Sequence, residues 1–271
     1  MLTLYNAATS VCSVKARIGL AEKGLDWEDV LLVLPNGDQH QPKYRKLNPN
    51  GVVPTLVDGD TVVIESSVIL QYIDDIGDGT RLIPDDKAMR AETLVWLLRC
   101  LEIHQAINTM SFATANRDKW LKSKTPEEID ALIAAMPNPR LAAKRRDLID
   151  NGAASANVEA DFHVLAGVFR DMDAALRTRR WMNGENFGMT DVALLAYIDR
   201  LDRIAMSGLW HNRMPRITEW LEAGRARPSY ARAMDRYVTA EAHAKARAVG
   251  ERFWPEIETR WQAFLSSRET V

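Results

Sequence analysis

Ser10, Cys12 and Ser13 fall within one short run, Ser10-Val11-Cys12-Ser13-Val14-Lys15-Ala16-Arg17, directly behind an apolar strand signal from Leu2 to Tyr5. Two hydroxyls and a thiol at the opening of a helix point to thiol chemistry. A helix start leaves several backbone N–H groups without intrahelical partners, and together with the helix dipole they favour a negative charge. A thiol docked beside Ser10 would also gain a donor to its sulfur, which weights the thiolate form. Each unit of pKa drop is worth about 1.4 kcal/mol, so one or two units bring a thiol near ~8.5 into the nucleophilic range at neutral pH. Ser10 also reads as an ordinary N-cap, and Ser13, one turn deeper, competes for the activating role. Cys12 is a candidate redox thiol. Cys100 lies on an apolar helical stripe and reads as core.

A second group surrounds Ile64-Glu65-Ser66-Ser67-Val68-Ile69. A carboxylate is a ready partner for an ammonium, and a helix start is a ready site for a carboxylate. Glu65, between an apolar strand and an apolar helix, reads as a buried acid in need of a partner; with Ser66 it also reads as a plain capping pair.

The elements that position these residues follow from periodicity. Val11, Val14, Ile18 and Ala21 recur at helical spacing up to Gly24, a helix stop, and Trp27 to Val33 reads as a second strand. A polar stretch with Gly37, Asp38, Gln39 and His40 leads to Asn48-Pro49-Asn50-Gly51, a dense turn signal. Asp58-Gly59 between apolar runs predicts a hairpin. Ser66 is expected to cap the next helix, with Val68, Ile69, Tyr72, Ile73 and Ile76 along one face. This order describes a βαβ-ββα unit over residues 1–79.

A composition break from Gly77 to Asp85 follows, and residues 87–271 read as all-helical. Trp96, Cys100, Ile103, Ile107 and Met110 form one stripe, and Val158, Phe162, Leu165, Phe169, Met172 and Leu176 another. Thr125-Pro126-Glu127-Glu128 is a capped helix start and Gly152 a stop. Lys144-Arg145-Arg146 reads as a solvated face. Phe253-Trp254-Pro255 with Ile257, Trp261, Phe264 and Leu265 predicts a final amphipathic helix, expected to pack on the core or a partner rather than to close over a site.

At 271 residues with 46% hydrophobic and 27% charged content the chain can bury one large core or two smaller ones. A net charge of -2 leaves no nucleic-acid footprint. Two cysteines suggest no disulfide framework and a reducing compartment. With no leader and no apolar run long enough for a membrane span, a soluble cytoplasmic protein is expected. His40, His104, His163, His211 and His243 show neither HExxH nor paired Cys/His spacing, so no metal is expected.

These motifs together resemble the cytosolic glutathione transferases over nearly the whole chain. The resemblance implies an N-terminal thioredoxin-like domain that binds glutathione, a helical domain that takes a hydrophobic electrophile, and a homodimer without nucleic-acid or membrane partners. It implies a cis peptide at Val53-Pro54 in Asn50-Gly51-Val52-Val53-Pro54-Thr55, with Val53 offering its backbone to the cysteinyl part. It further implies Glu65 and Ser66 at the γ-glutamyl end, Gln39 and His40 at the glycyl end, and Ser10 as the activating residue. His104, Asn108, Ser111 and Phe112, on the first long helix of the second domain, would line the electrophile site; for His104 a satisfied interhelical role is an equal alternative.

The first motif is similar to the zeta class and to glutathione-dependent reductive dehalogenases, where a cysteine at the position of Cys12 resolves a glutathionyl adduct. Arg90-Ala91-Glu92, Val95-Trp96 and the run from Lys124 through Met136-Pro137-Asn138-Pro139 to Asn151-Gly152 instead resemble the bacterial β-etherases that cleave lignin-derived aryl ethers. The resemblance therefore implies attack by glutathione thiolate on a β-aryl ether or a halogenated aromatic, in lignin degradation or detoxification. Zeta-like isomerisation or reductive dehalogenation is the alternative, and a non-catalytic binding protein on the same fold an alternative of another class. The family's helix cap three residues before a core Asp is Ser or Thr, whereas Gly188 stands before Met189-Thr190-Asp191 here.

Overall fold

The computed structural model describes residues 1–269. The first strand, β1 (Leu2–Asn6), alternates buried and half-buried residues and leads through Ala7–Thr9 into α1 (Val11–Glu22). Gly24, at φ 65, turns the chain into β2 (Trp27–Leu31), which pairs parallel with β1. Then come two short turns, a single helical turn α2 (Pro42–Arg45), the strands β3 (Thr55–Asp58) and β4 (Thr61–Ile64), and α3 (Ser66–Ile76). The sheet order is β2-β1-β3-β4, with β3 antiparallel to both its neighbours. This is the expected thioredoxin-like α/β arrangement. Leu2, Leu4, Ala16, Leu20, Leu56, Val63, Ile69 and Ile73 close its core.

Three local expectations shift. β2 ends at Leu31 rather than Val33. Asp58 pairs with Thr61, so the hairpin link is Gly59-Asp60, with Gly59 at φ 56 in its first position. The N-cap of α3 is Glu65, not Ser66.

After β4 the regular elements of the described residues are all helices, with one isolated bridge between Trp181 and Gly184. The helices are α4 (Lys87–Ala113), α5 (Ala115–Ser123), α6 (Pro126–Ala134), α7 (Pro139–Asn151), α8 (Ala156–Leu176), α9 (Met189–Arg203), α10 (Pro215–Arg225), α11 (Pro228–Met234) and α12 (Ala240–Glu269). Thr125 and Glu128 form the full capping box at α6, and Gly152 stops α7 at φ 55. Of the helical span expected over 87–271, the last two residues lie outside the described residues.

Two compact units emerge. One holds Met1–Leu101, Ala175–Tyr197 and Glu219–Thr239; the other holds Glu102–Ala174, Ile198–Thr218 and the C-terminal stretch from Ala240. In the first, Asp191 accepts from the backbone N–H groups of Gly188, Met182 and Asn183 and from Trp220 Nε1 at 3.0, 2.8, 3.4 and 2.7 Å. Asn183 Oδ1 takes the Thr190 N–H at 2.8 Å, the bond an N-cap Ser would have offered. A Cβ at Gly188 would stand 2.7 Å from Asn183 Cγ, so the glycine makes room for the residue that replaces the cap. Burial lifts the Asp191 carboxyl to about 6 against the pull of these donors.

In the second unit, the α8 residues Val158, Phe162, Leu165, Phe169 and Met172 are buried. The expected tail helix is longer than the pattern implied, because it opens at Ala240. Its Ile257, Trp261 and Phe264 are buried, and both aromatic rings pack on Phe162. The packing role expected for the tail holds within this unit.

Candidate active site

Ser10 takes extended backbone angles, φ -69 and ψ 122, and caps α1 with its hydroxyl accepting the Ser13 N–H at 3.3 Å. It is half-buried, and so is Cys12 two residues on. Ser13 is fully buried and its hydroxyl accepts the Ala7 N–H at 3.2 Å, which ties the loop back on itself. Of the two serines, Ser10 is the one open to a ligand.

Behind the loop lies a cluster that sequence reasoning did not assemble. The Tyr197 hydroxyl, from α9, donates to the Cys100 carbonyl at 3.4 Å and lies within hydrogen-bonding reach of the Cys12 and Cys100 thiols. Burial, with both thiols beside it, pushes the Tyr197 phenol well above its ordinary value. Lys15 is fully buried, donates to Ser67 Oγ at 2.7 Å and stands 5.7 Å from the Tyr197 ring centroid. Ser67 in turn donates to the Leu97 carbonyl at 3.2 Å. Lys15 was visible only as an interruption in the apolar face of α1.

At the start of α3, Glu65 is exposed rather than buried, and its backbone sits at φ 66, ψ 113. A positive φ at a non-glycine residue costs of order 1–3 kcal/mol and marks a position over-determined by its surroundings. Ser66, beside it, is buried. The Val53-Pro54 bond is cis, as the resemblance implied. The segment before it is held by Asn48, whose amide donates to the Val52 carbonyl at 2.9 Å and to Thr55 Oγ1 at 3.2 Å, and by the Tyr44 hydroxyl on the same two groups.

Gln39 and His40 form a short turn, their Nε2 atoms 3.1 Å apart. Gln39 Oε1 is buried with no partner among the described residues. A Cβ at Gly51 would come 3.0 Å from His40 Nδ1, so the glycine lets the imidazole pack on the chain leading to Val53. His40 also lines a cavity of about 300 Å³ with Pro42, Arg45, Lys46 and Pro49, a cationic rim suited to a carboxylate. Burial, with Arg45 beside it, lowers the His40 imidazole.

In the helical unit, Asn108, Ser111 and Phe112 share one face of α4, with His104 one turn earlier. His104 and Asn108 are half-buried, while Ser111 and Phe112 are buried. Two arginines complete this face. Arg145 donates to Asn108 Oδ1 at 3.1 Å and lies 3.3 Å from the Phe112 ring centroid. Arg200 donates to Ser111 Oγ at 3.2 Å and to Asn116 Oδ1 at 3.5 Å. The solvated face expected for Lys144-Arg145-Arg146 is thus corrected at its centre: Arg145 is mostly covered and burial lowers its guanidinium to about 10. Among the described residues no group of acidic, histidine or cysteine side chains is arranged to hold a metal.

Residues 9–76 match the family model for the glutathione S-transferase N-terminal domain. Glutathione S-transferase Z1 of Arabidopsis thaliana is 36% identical over 145 residues, 51% of this chain and 66% of that protein. The tetrachloro-p-hydroquinone reductive dehalogenase of Sphingobium chlorophenolicum is 26% identical over 235 residues, 84% of this chain and 94% of that one. The solved structure of β-etherase LigF from Sphingobium sp. strain SYK-6 matches at a TM-score of 0.74 and 26% identity, over 86% of this chain and 98% of that one. No helix among the described residues is long and apolar enough to cross a membrane. A four-stranded mixed sheet, a following helical region, the matched N-terminal domain and relatives spanning most of the length converge: the chain belongs to the glutathione S-transferase superfamily.

Proposed function

We propose that this transferase uses glutathione thiolate to cleave a β-aryl ether ketone. Glu65 takes the γ-glutamyl ammonium, Ser66 and the start of α3 its carboxylate, and the Val53 backbone the cysteinyl part. Gln39 and His40 face the glycyl end. Gln39 Oε1, a buried acceptor without a partner among the described residues, suits a peptide N–H of the tripeptide. Ser10 donates its hydroxyl to the sulfur, and the open end of α1 adds partial positive charge.

The thiolate attacks the carbon beside the ketone; an S–C bond forms, the C–O bond breaks with its electron pair, and the phenoxide takes a proton from solvent. The adjacent carbonyl makes that carbon a better electrophile, so holding the thiolate and aligning the carbon suffice. The side chains on α4 supply the electrophile contacts. A cytoplasmic homodimer is the proposed form.

The observation that carries this reading is Ser10 at the α1 cap, with its hydroxyl half-buried, in a chain that matches the β-etherase structure over 98% of that structure's length. The purified protein, given glutathione and a fluorogenic β-aryl ether ketone, is expected to release phenol only with glutathione present. Ser10→Ala should slow that release on the order of 10- to 100-fold, the thiolate lost on raising the thiol pKa by one to two units. No release, with conjugation of a chlorinated nitroarene intact, would sink the ether reading.

Cys12 favours a second reading. Its half-buried thiol stands beside the Tyr197 hydroxyl, as suits a thiol that resolves a glutathionyl adduct in reductive dehalogenation. On a halogenated hydroquinone, Cys12→Ala should then accumulate the glutathionyl product; unchanged turnover removes this reading.

A further inference from the structure

In the run Lys144-Arg145-Arg146, the outer two cations have acids: Lys144 Nζ lies 2.6 Å from Asp161, and Arg146 pairs with Asp130. Among the described residues Arg145 between them has none. Its Nη2 bonds a neutral amide oxygen on Asn108, its guanidinium covers the Phe112 ring, and its Nε is buried with no hydrogen-bond partner among the described residues. Arg200, only 9% exposed, likewise hydrogen-bonds among the described residues to neutral oxygens, those of Ser111 and Asn116, and the nearby charges of Arg203 and Asp199 pull its guanidinium in opposite directions. The neighbouring carboxylate of Asp199 stands 2.7 Å from Arg203 Nε, so Arg200 and Arg203 share one acid there. Asn108, Ser111 and Phe112 lie three and four residues apart on α4, which brings both guanidinium groups to the same helical turn.

A charge taken out of water is costly to hold without a counter-charge, and a guanidinium fork is matched in shape to a carboxylate, which can accept two parallel N–H bonds. Asn108, Asn116 and Arg145 keep partial exposure, so an anion can reach the groups from solvent. We infer that Arg145 and Arg200 form a carboxylate site in the helical unit, and that the electrophile this protein takes is an aromatic acid rather than a neutral apolar compound. The inference rests on the proposed function for the reaction, but not for the binding itself. Phe112 and Trp120, whose rings meet edge to face at 5.4 Å beside Arg145, give the site its aromatic wall.

The test compares 4-phenoxybenzoate with its methyl ester, both without the ketone that the proposed ether cleavage needs, by calorimetric titration of the full-length protein. The acid is expected to bind at least about tenfold more tightly than the ester, as one charge-assisted hydrogen-bonded pair predicts. That advantage should shrink to under about threefold in Arg145→Gln and in Arg200→Gln. Equal binding of acid and ester by the unaltered protein overturns the inference, and this comparison decides even where a variant fails to fold. An advantage left intact in both variants also overturns it. Ether cleavage with no acid preference would leave the proposed function standing alone; acid preference without ether cleavage would do the reverse. Thermal melts separate a structural role: a guanidinium that only packs should lose stability on substitution, and one that waits for an anion should not.

Discussion

Arg17 and Arg145 are both inward-turned arginines, one in each compact unit, and their surroundings differ in kind. Arg17 is fully buried, yet Nε donates to the Ala233 carbonyl at 2.8 Å, Nη1 to Asn6 Oδ1 at 2.6 Å and Ala7 O at 3.3 Å, and Nη2 to Ala8 O at 2.9 Å. The Tyr237 ring covers it at 3.7 Å, and Asn6 passes the bond on to Asp29 at 2.9 Å. Lys23 is treated the same way, with Asp74 at 3.1 Å and the carbonyls of Gly79 and Thr80. Arg145 has one neutral oxygen and an idle Nε. A saturated buried cation organises the fold; an unsaturated one is held ready for something the fold does not supply.

The same substitution at both positions should therefore give opposite results. Arg17→Met strands the Asn6 oxygen and three backbone carbonyls, and is expected to lower unfolding stability by about 4 kcal/mol. Arg145→Met removes a desolvated charge and leaves one amide that water can reach, so its effect should lie within about 1 kcal/mol of zero or be stabilising. Urea unfolding of the two variants measures both. Comparable losses at the two sites would break the comparison.

Asp191 adds the acidic side, since the four donors that hydrogen-bond its buried carboxylate are all neutral groups. Its folded-state pKa of about 6 lies above the ordinary 3.8. Between those values the folded form holds the extra proton, so the contribution to stability falls as pH rises from 4 to above 6. The wild type should lose roughly 3 kcal/mol relative to Asp191→Asn across that window, other groups cancelling in the difference. A flat difference would mean that the donors hold the carboxylate ionised throughout.

How far these features were readable in the sequence depended on how local their causes are. The βαβ-ββα order, the Thr125/Glu128 box and the α4 and α8 stripes rest on period and on turn chemistry within a few residues. They stand as read, apart from a one-residue shift at Gly59-Asp60. Glu65 misled because its apolar flanks imply burial, while its exposure comes from the φ 66 junction between β4 and α3. Gly188 looked like a weak cap because its substitute, Asn183, reaches Thr190 from outside the helix. Arg145 carries a local signal of burial: it stands three and four residues before the buried Leu148 and Ile149. Three consecutive basic residues cannot all face solvent on a helix whose next turn faces inward.

Lys15 tests the rule inside the α/β unit, where it is the exception. It is fully buried, with Ser67 Oγ its bonded partner and the Tyr197 ring beneath it, yet it sits at the start of α3 where the γ-glutamyl carboxylate is proposed to bind. If an unsaturated cation marks a place for an anion, Lys15→Met should raise the glutathione KM about tenfold, some 1.4 kcal/mol, while unfolding stability moves by less than about 1 kcal/mol. Lys15→Arg should recover part of the KM, because the charge returns even though the geometry differs. A variant that loses stability with its glutathione KM unchanged would place Lys15 with Arg17 among the structural cations, and under-saturation would then mark a ligand only in the helical unit.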